Sequence, residues 1–343
     1  MIAKEIIING IEDVSLVERE IYPESLQGTE CLIETAISLI SPGTELSRVF
    51  GLKAGATYPV YPGYCSVGTI QAKGNDLSHV QVGDRVLFSG PHASFKLYDY
   101  TKSDGGILFP LDPALSDEEG AFLMMCWIAM NGILPAEVKL GDQVVVFGLG
   151  TLGLILSLLY QEMGVDVLAV DPVKERCDLA KTMGVTATLD CPPAEQIDSI
   201  MAHTNQQGAD IVVDATGLSA CILSSFQVAA KNGQVLLLGS PRTPFTTDVT
   251  PYLNMIHRKM LTVRGSFNRR YPYQEQEGSR LSITRSLTYL SGLLIKKKIN
   301  VSHFISHVLP PEEAMTGYWG LMHQKNTYTG VIIQWKNQGG EEA

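Results

Sequence analysis

The chain has 343 residues, of which 45% are hydrophobic, and a formal net charge of −10. Its length leads us to expect two domains, and an acidic chain without a basic patch speaks against nucleic acid as a partner. No apolar run approaches a membrane span, and residues 1–9 lack the apolar core of a signal peptide, so neither a membrane partner nor export is expected.

The six cysteines are scattered and form no C-x-x-C pair, which reads as a set of thiols in a reducing cytoplasm.

Residues 1 to 120 read as mostly β. Strands are expected at Ile2–Ile8, Glu30–Leu39, Gly68–Ala72 and Arg85–Phe88. Turns at Pro42-Gly43, Pro62-Gly63, Gly74-Asn75 and Gly83-Asp84 separate them, as in a compact, partly barrelled β domain. Ser116 with Glu119 three residues later is a capping box, and a helix through Met130 should follow. From Val144 the pattern becomes an α/β alternation. Strands are expected at Val144–Phe147, Val165–Val170, Thr186–Leu189, Asp210–Asp214, Gln234–Leu238 and Leu261–Arg264. Helices are expected at Leu152–Tyr160, Lys174–Met183, Pro193–His203 and Ser219–Ala230. Beyond Arg269 a helix over Leu281–Lys298 and a strand at Phe304–Leu309 are expected. A helix from Pro310 and a last strand at Thr329–Gln334, returning to the first domain, complete the pattern. Residues 337–343 read as a disordered tail.

The stretch around Val144 carries the chemistry. Gly148, Gly150 and Gly153 stand in the spacing G-x-G-x-x-G between a continuous apolar strand and an apolar helix. The first glycine permits the tight turn, the second lets the backbone approach a pyrophosphate, and the third lets helix and strand pack. The helix N-terminus then offers free N–H groups to the diphosphate. Asp171 closes the second strand about 20 residues on, where a carboxylate holds ribose hydroxyls and repels a 2′-phosphate, favouring NAD over NADP. Thr151, Leu152 and Arg176 join this expected cofactor set. So do Thr216, Gly239, Ser240 and Ser266, which end later strands where ligands bind in open α/β sheets.

This order of motifs resembles the medium-chain dehydrogenase/reductase superfamily, the alcohol and polyol dehydrogenase group. The resemblance rests on Pro62-Gly63, Gly83-Asp84-Arg85-Val86, Gly141-Asp142, Gly148 to Gly153, Asp171 and Asp214-Ala215-Thr216-Gly217. It implies an α/β chain with a GroES-like β-rich catalytic domain, residues 1–120 and 269–343. A Rossmann domain with a doubly wound parallel sheet, residues 121–268, lies between these segments. A homodimer or homotetramer is implied with it. The first of these rests also on the last strand, Leu261 to Arg264, as an apolar edge to be covered.

Most alcohol dehydrogenases of the family hold a catalytic zinc in C-G-T-D and P-G-H-E motifs and a later Cys or Glu. Here the motifs read Pro42-Gly43-Thr44-Glu45 and Pro62-Gly63-Tyr64-Cys65, leaving Cys126 as the one matching ligand. Three protein ligands are needed, so no metal is expected. The four-cysteine structural zinc lobe is absent too. A zinc-free branch must handle the alcohol proton with side chains. The candidates are Tyr64, at the missing histidine's place, and Thr44, at the family's proton-relay hydroxyl. Glu45 and His92 are the other titratable choices. Each has a plainer reading: Tyr64 as filler, Glu45 paired with a cation such as Arg48, and His92 as a solvated loop residue. Arg269 and Arg270 read either as surface charges or as groups orienting a polyhydroxylated or anionic substrate.

The expected function is an NAD-dependent, metal-independent oxidation of a secondary alcohol in a sugar, glycoside, cyclitol or similar ring. The alternatives are a zinc-free quinone or enoyl reductase, and a protein that retains NAD for internal redox, as in epimerisation, or for sensing.

Overall fold

The computed structural model describes residues 1–52, 55–102, 106–241 and 244–336. The tail expected to be disordered, residues 337–343, lies outside the described residues. The chain divides into two compact units, one made of Met1–Met125 with the residues from Tyr271 onward, the other of Cys126–Arg270.

In chain order the elements are β1 (Ile2–Gly10), β2 (Asp13–Glu20), β3 (Cys31–Leu39), α1 (Pro42–Val49), β4 (Ser66–Lys73), β5 (Arg85–Phe88), β6 (Phe95–Tyr98), β7 (Leu108–Pro110) and α2 (Asp117–Met130). There follow β8 (Gln143–Phe147), α3 (Thr151–Glu162), β9 (Asp166–Val170), α4 (Lys174–Thr182), β10 (Ala187–Leu189), α5 (Pro193–His203), β11 (Ala209–Asp214), α6 (Ser219–Val228), β12 (Ala229–Leu237), α7 (Thr250–Lys259) and β13 (Thr262–Gly265). The chain ends with α8 (Ile283–Ile295), β14 (His307–Leu309), α9 (Ala314–His323) and β15 (Val331–Gln334).

The second unit is built on a six-stranded parallel sheet in the order β10-β9-β8-β11-β12-β13. Its inner strands carry apolar runs: Val145, Phe147, Leu168, Val170, Val212 and Val235 share one core with Ile200 and Phe226. The strand order runs outward in both directions from β8 and β11. That reversal makes the C-terminal ends of these two strands the switch point at which ligands bind in such sheets.

The first unit holds a sheet in the order β14-β15-β3-β4-β5-β7, with β6 also pairing with β3, and a separate β1–β2 hairpin. The final strand β15 returns to pair antiparallel with β3, Ile333 opposite Ser38. The core beneath it gathers Ile6, Ile8, Leu46, Val49, Tyr318 and Ile333. The capping box at α2 is formed: the Glu119 backbone N–H donates to Ser116 Oγ at 3.2 Å and the Ser116 N–H to Glu119 Oε2 at 3.0 Å.

Pro42-Gly43, expected as a turn between strands, is instead the first turn of α1. Proline's fixed φ suits the first helical position, where its missing N–H costs nothing. The strands β2, β6 and β7 and the helix α7 are further elements not expected from the pattern. β2 and β6 are half-exposed and lack a continuous apolar run. α7 packs only Tyr252, Met255 and Ile256 against the sheet core.

Candidate active site

The glycine turn sits at the switch point. Gly148 ends β8 with φ +93, a conformation that L side chains avoid, and a Cβ there would lie 2.7 Å from Cγ2 of Thr216, which follows β11. At Gly153 a Cβ would fall 1.8 Å from the Gly148 carbonyl oxygen, so helix α3 and strand β8 meet only through glycine. Gly150, at the N-cap of α3, is different. Its φ of −68 suits any residue and a Cβ there would meet nothing within 4 Å. The protein's own packing gives no reason for glycine at this position.

Asp171 closes β9 and is 2% exposed. Its carboxylate accepts the Leu149 N–H at 2.8 Å and the Val173 N–H at 2.9 Å, and Arg176 reaches it at 3.3 Å. It thereby ties the glycine turn to the loop after β9. Thr216 is less available than its position implied. Its hydroxyl donates to Asp214 Oδ1 at 2.5 Å and accepts the Leu218 N–H at 2.9 Å, which locks the turn after β11. Gly239 serves close packing, since a Cβ would fall 2.1 Å from the Gly217 nitrogen. Ser240 lies beside it in the same turn. The Ser266 hydroxyl, at the end of β13, is buried with no hydrogen-bond partner among the described residues. Arg269 lies over the Phe267 ring, 5.6 Å from its centre.

In the first unit the four proton-handling candidates come together, in two layers. The outer layer is hydroxyl: Tyr64 Oη contacts Ser41 Oγ and lies 3.4 Å from Thr44 Oγ1. Burial pushes the Tyr64 phenol well above its ordinary pKa, and the Glu45 charge adds to this, so the group is a neutral hydrogen-bond donor. Ser41 was not singled out in the sequence. It is the N-cap residue of α1, yet its side chain caps nothing there. A serine hydroxyl used as a cap is worth about 1 kcal/mol, and here that hydroxyl is turned to Tyr64.

The inner layer is buried. Glu45 is 2% exposed and His92 is 0% exposed. Glu45 Oε2 faces His92 Nε2 at 2.9 Å and accepts the Tyr318 hydroxyl at 2.6 Å, while Oε1 accepts the Ser41 N–H at 2.7 Å. His92 Nδ1 meets Ser38 Oγ at 2.7 Å, and the Trp335 indole N–H donates to the same oxygen at 2.9 Å. Two expectations are thus corrected. His92 is not a solvated loop residue, because its backbone is held by Ile6 and Pro62 and its ring is packed inside. The Glu45 partners are His92, Tyr318 and the Ser41 amide rather than Arg48. Tyr318 and Trp335 belong to α9 and to the end of β15, far away in sequence, and no local motif marks them.

Comparison with known proteins agrees with this architecture. Residues 151–282 match the zinc-binding dehydrogenase family. Over 307 residues the chain is 23% identical to D-xylulose reductase of Saccharomyces cerevisiae, covering 80% of this chain and 82% of that one. Over 170 residues it is 29% identical to D-guloside 3-dehydrogenase of Escherichia coli, covering 49% and 48% of the two chains. Galactitol-1-phosphate dehydrogenase from Escherichia coli has the same fold, with a TM-score of 0.80 over 96% of this chain and 99% of that one, at 19% identity. These likenesses support the resemblance to the medium-chain dehydrogenase/reductase superfamily.

Of the zinc-ligand positions in that family, only that of Cys126 keeps a matching donor. Among the described residues no group of three His, Cys, Asp or Glu could hold a metal ion. Pro42 has no donor side chain, and Tyr64 stands where the family has a histidine. Burial and the Glu45 charge push the Cys65 thiol well above its ordinary pKa, and burial pushes that of Cys126 up to about 12.

Proposed function

We propose that the protein is an NAD-dependent, metal-independent dehydrogenase of a secondary alcohol in a sugar, glycoside, cyclitol or similar ring. The observation that carries the reading is the pairing of a complete dinucleotide turn with a hydroxyl cluster at the zinc-ligand positions. Gly148, Gly150, Thr151, Leu152 and Gly153 would take the pyrophosphate. Asp171 would take the ribose hydroxyls, for which it must yield the Arg176 contact, the longest of its three. Thr216, Gly239 and Ser240 would line the path beyond, and the unpartnered hydroxyl of Ser266 supports a polar ligand there. Bound NAD would supply the hydride acceptor. The cofactor preference rests on the negative Asp171, which a 2′-phosphate would oppose.

On the substrate side, the neutral Tyr64 phenol would hold the substrate oxygen by a hydrogen bond and shift protons through Ser41 and Thr44. The relatives named for D-xylulose and a D-guloside support a polyhydroxylated substrate. The six free thiols support a reducing, cytoplasmic setting. The edge strand β13, with Val263 and Phe267 exposed, supports a homodimer, which a monomeric mass in light scattering would refute.

The test is NADH formation across a panel of sugars, glycosides, cyclitols and simple alcohols with a strong chelator present. Turnover under chelation is expected, and Tyr64→Phe should lower it by about 10²-fold or more. Activity that vanishes with chelator and returns with zinc would refute the metal-free part. A strong preference for NADPH would refute the cofactor assignment and favour the quinone or enoyl reductase reading.

A further inference from the structure

The inner layer touches no solvent, yet it holds a buried carboxylate that the proton chemistry above does not use. We propose that the His92–Glu45 pair is a positioning clamp that holds the Ser41 and Tyr64 turns from behind and keeps their hydroxyls in contact. For its kinetic consequence this rests on the dehydrogenase reading; for its geometry it rests on the structure alone.

Both turns lean on the pair. Glu45 reaches back along α1 to accept the Ser41 N–H, fixing the residue whose hydroxyl meets Tyr64. His92 lies against the other turn. Its N–H donates to the Pro62 carbonyl at 2.8 Å. Gly63, with φ +106, brings the chain so close that a Cβ there would lie 2.7 Å from the His92 nitrogen and 2.9 Å from its ring. Tyr64 is the next residue. The bond between His92 Nε2 and Glu45 Oε2 therefore joins the two turns behind the Ser41–Tyr64 contact.

The hydrogen bonds run in one direction. An indole can only donate, so Trp335 gives its proton to Ser38 Oγ. Among the described residues the Ser38 hydroxyl then has one side-chain acceptor, His92 Nδ1. On this reading the His92 proton stands on Nε2, where Glu45 accepts it. Tyr318 and the Ser41 N–H donate to the same carboxylate. Every member of this donor chain then has a partner. The other titratable groups that feel the Glu45 charge are Tyr64, Cys65 and Tyr318. Burial and the Glu45 charge raise all three, so each stays protonated. Glu45 and His92 are positioning residues and act through Ser41 and Tyr64.

The first experiment is ¹⁵N NMR of the wild-type chain at pH 7.5, with His92 assigned through the backbone. A neutral ring with its proton on Nε2 is expected; a proton on Nδ1, or on both nitrogens, would overturn the donor chain. The second uses His92→Gln and Glu45→Gln, each checked for native near-UV dichroism. Each should lower kcat about 10- to 100-fold with KM changed less than about threefold. In a Tyr64→Phe background the same changes should cost less than about twofold, because they act through the phenol. Equal losses in both backgrounds would overturn the clamp. Tyr318→Phe, which removes one donor from Glu45, serves if either variant fails to fold. A chain with no NAD-linked alcohol turnover would sink the dehydrogenase reading, and the NMR result would still decide the clamp.

Discussion

Gly150 separates what the fold needs from what a cofactor needs. Replacing it with alanine puts a methyl group where the protein has nothing within 4 Å, at a φ of −68 that alanine adopts freely. Two opposing effects act on stability. Alanine restricts the unfolded chain, a gain of about 0.4–1 kcal/mol, and it is a poorer N-cap than glycine by a similar amount. Gly150→Ala should therefore leave the unfolding free energy within about 1 kcal/mol of wild type. A pyrophosphate laid against the same backbone would meet the methyl group directly. Overpacking of this kind costs about 1–3 kcal/mol, so the NAD(H) dissociation constant should rise roughly 5- to 150-fold. Gly153→Ala is the contrast: its Cβ would fall 1.8 Å from the Gly148 carbonyl, so it should destabilise the unit with or without cofactor. The assays are thermal unfolding without ligand and titration of NADH fluorescence. A Gly150→Ala protein that binds NADH within twofold of wild type would refute the assignment of this turn to the pyrophosphate.

Asp171→Asn should narrow the discrimination between NAD and NADP by about tenfold or more, read as the ratio of the two dissociation constants; an unchanged ratio would remove Asp171 from cofactor selection. Lys259 closes the C-terminal end of α6, its ammonium donating to the carbonyls of Phe226, Gln227 and Ala229 at 3.2, 2.7 and 2.8 Å. Lys259→Met should cost about 1–3 kcal/mol and lower Tm by several degrees; an unchanged Tm would show the cap to be idle. Stability should be flat to about pH 8 and fall above it. The thiols of Cys65 and Cys126 and the phenols of Tyr64, Tyr160 and Tyr318 are raised by burial, so the native state keeps protons that the unfolded chain releases near pH 8.5 and 10. Each group removes up to about 1.4 kcal/mol per pH unit, and urea midpoints equal at pH 7 and pH 10.5 would contradict this.

The second unit was legible because its signals are local. A buried parallel strand must be apolar on both faces, a tight turn must use glycine, and Pro193 or Gly164 marks a helix end within one residue of where the chain turns. The first unit was legible only in part. β2 is half-exposed and its residues follow no alternation strong enough to read. Pro42-Gly43 carries a signal that serves a turn and a helix start equally, and what decides for the helix is Leu46 and Val49 packing against Tyr318 and Leu321 of α9. The candidate site follows the same rule. Tyr64, Thr44, Glu45 and His92 could be picked out as chemistry-bearing residues, but their division into an outer and a buried layer depends on Ser38, Tyr318 and Trp335. Those three stand far apart in sequence and meet Glu45 and His92 only once β3, α9 and β15 have assembled.

That division bears on how the proposed metal-free site would work with donors in place of a metal. A metal ion concentrates charge at one point, and its ligands fix its position through strong bonds. Hydroxyl donors are weaker individually, and removing one well-placed donor from an active site typically costs about 10²–10³ in rate. Their effect depends on being held within a few tenths of an ångström, which a serine on a helix cap and a tyrosine after a glycine turn do not achieve alone. The Ser41 side chain gives up its capping bond and the Tyr64 turn rests on a glycine in the left-handed region, so both are positions at which local stability yields to placement. The compensation comes from a buried carboxylate with three donors, one of them anchored in turn to Ser38 and Trp335. A half-satisfied network would be worse than an apolar core, so such a network should respond to the loss of any member as a whole. Trp335→Phe tests this at the far end of the chain. It leaves the Ser38 hydroxyl one donor short, touches neither Ser41 nor Tyr64, and should still lower kcat several-fold through them, whereas a wild-type kcat would confine the coupling to His92 and Glu45.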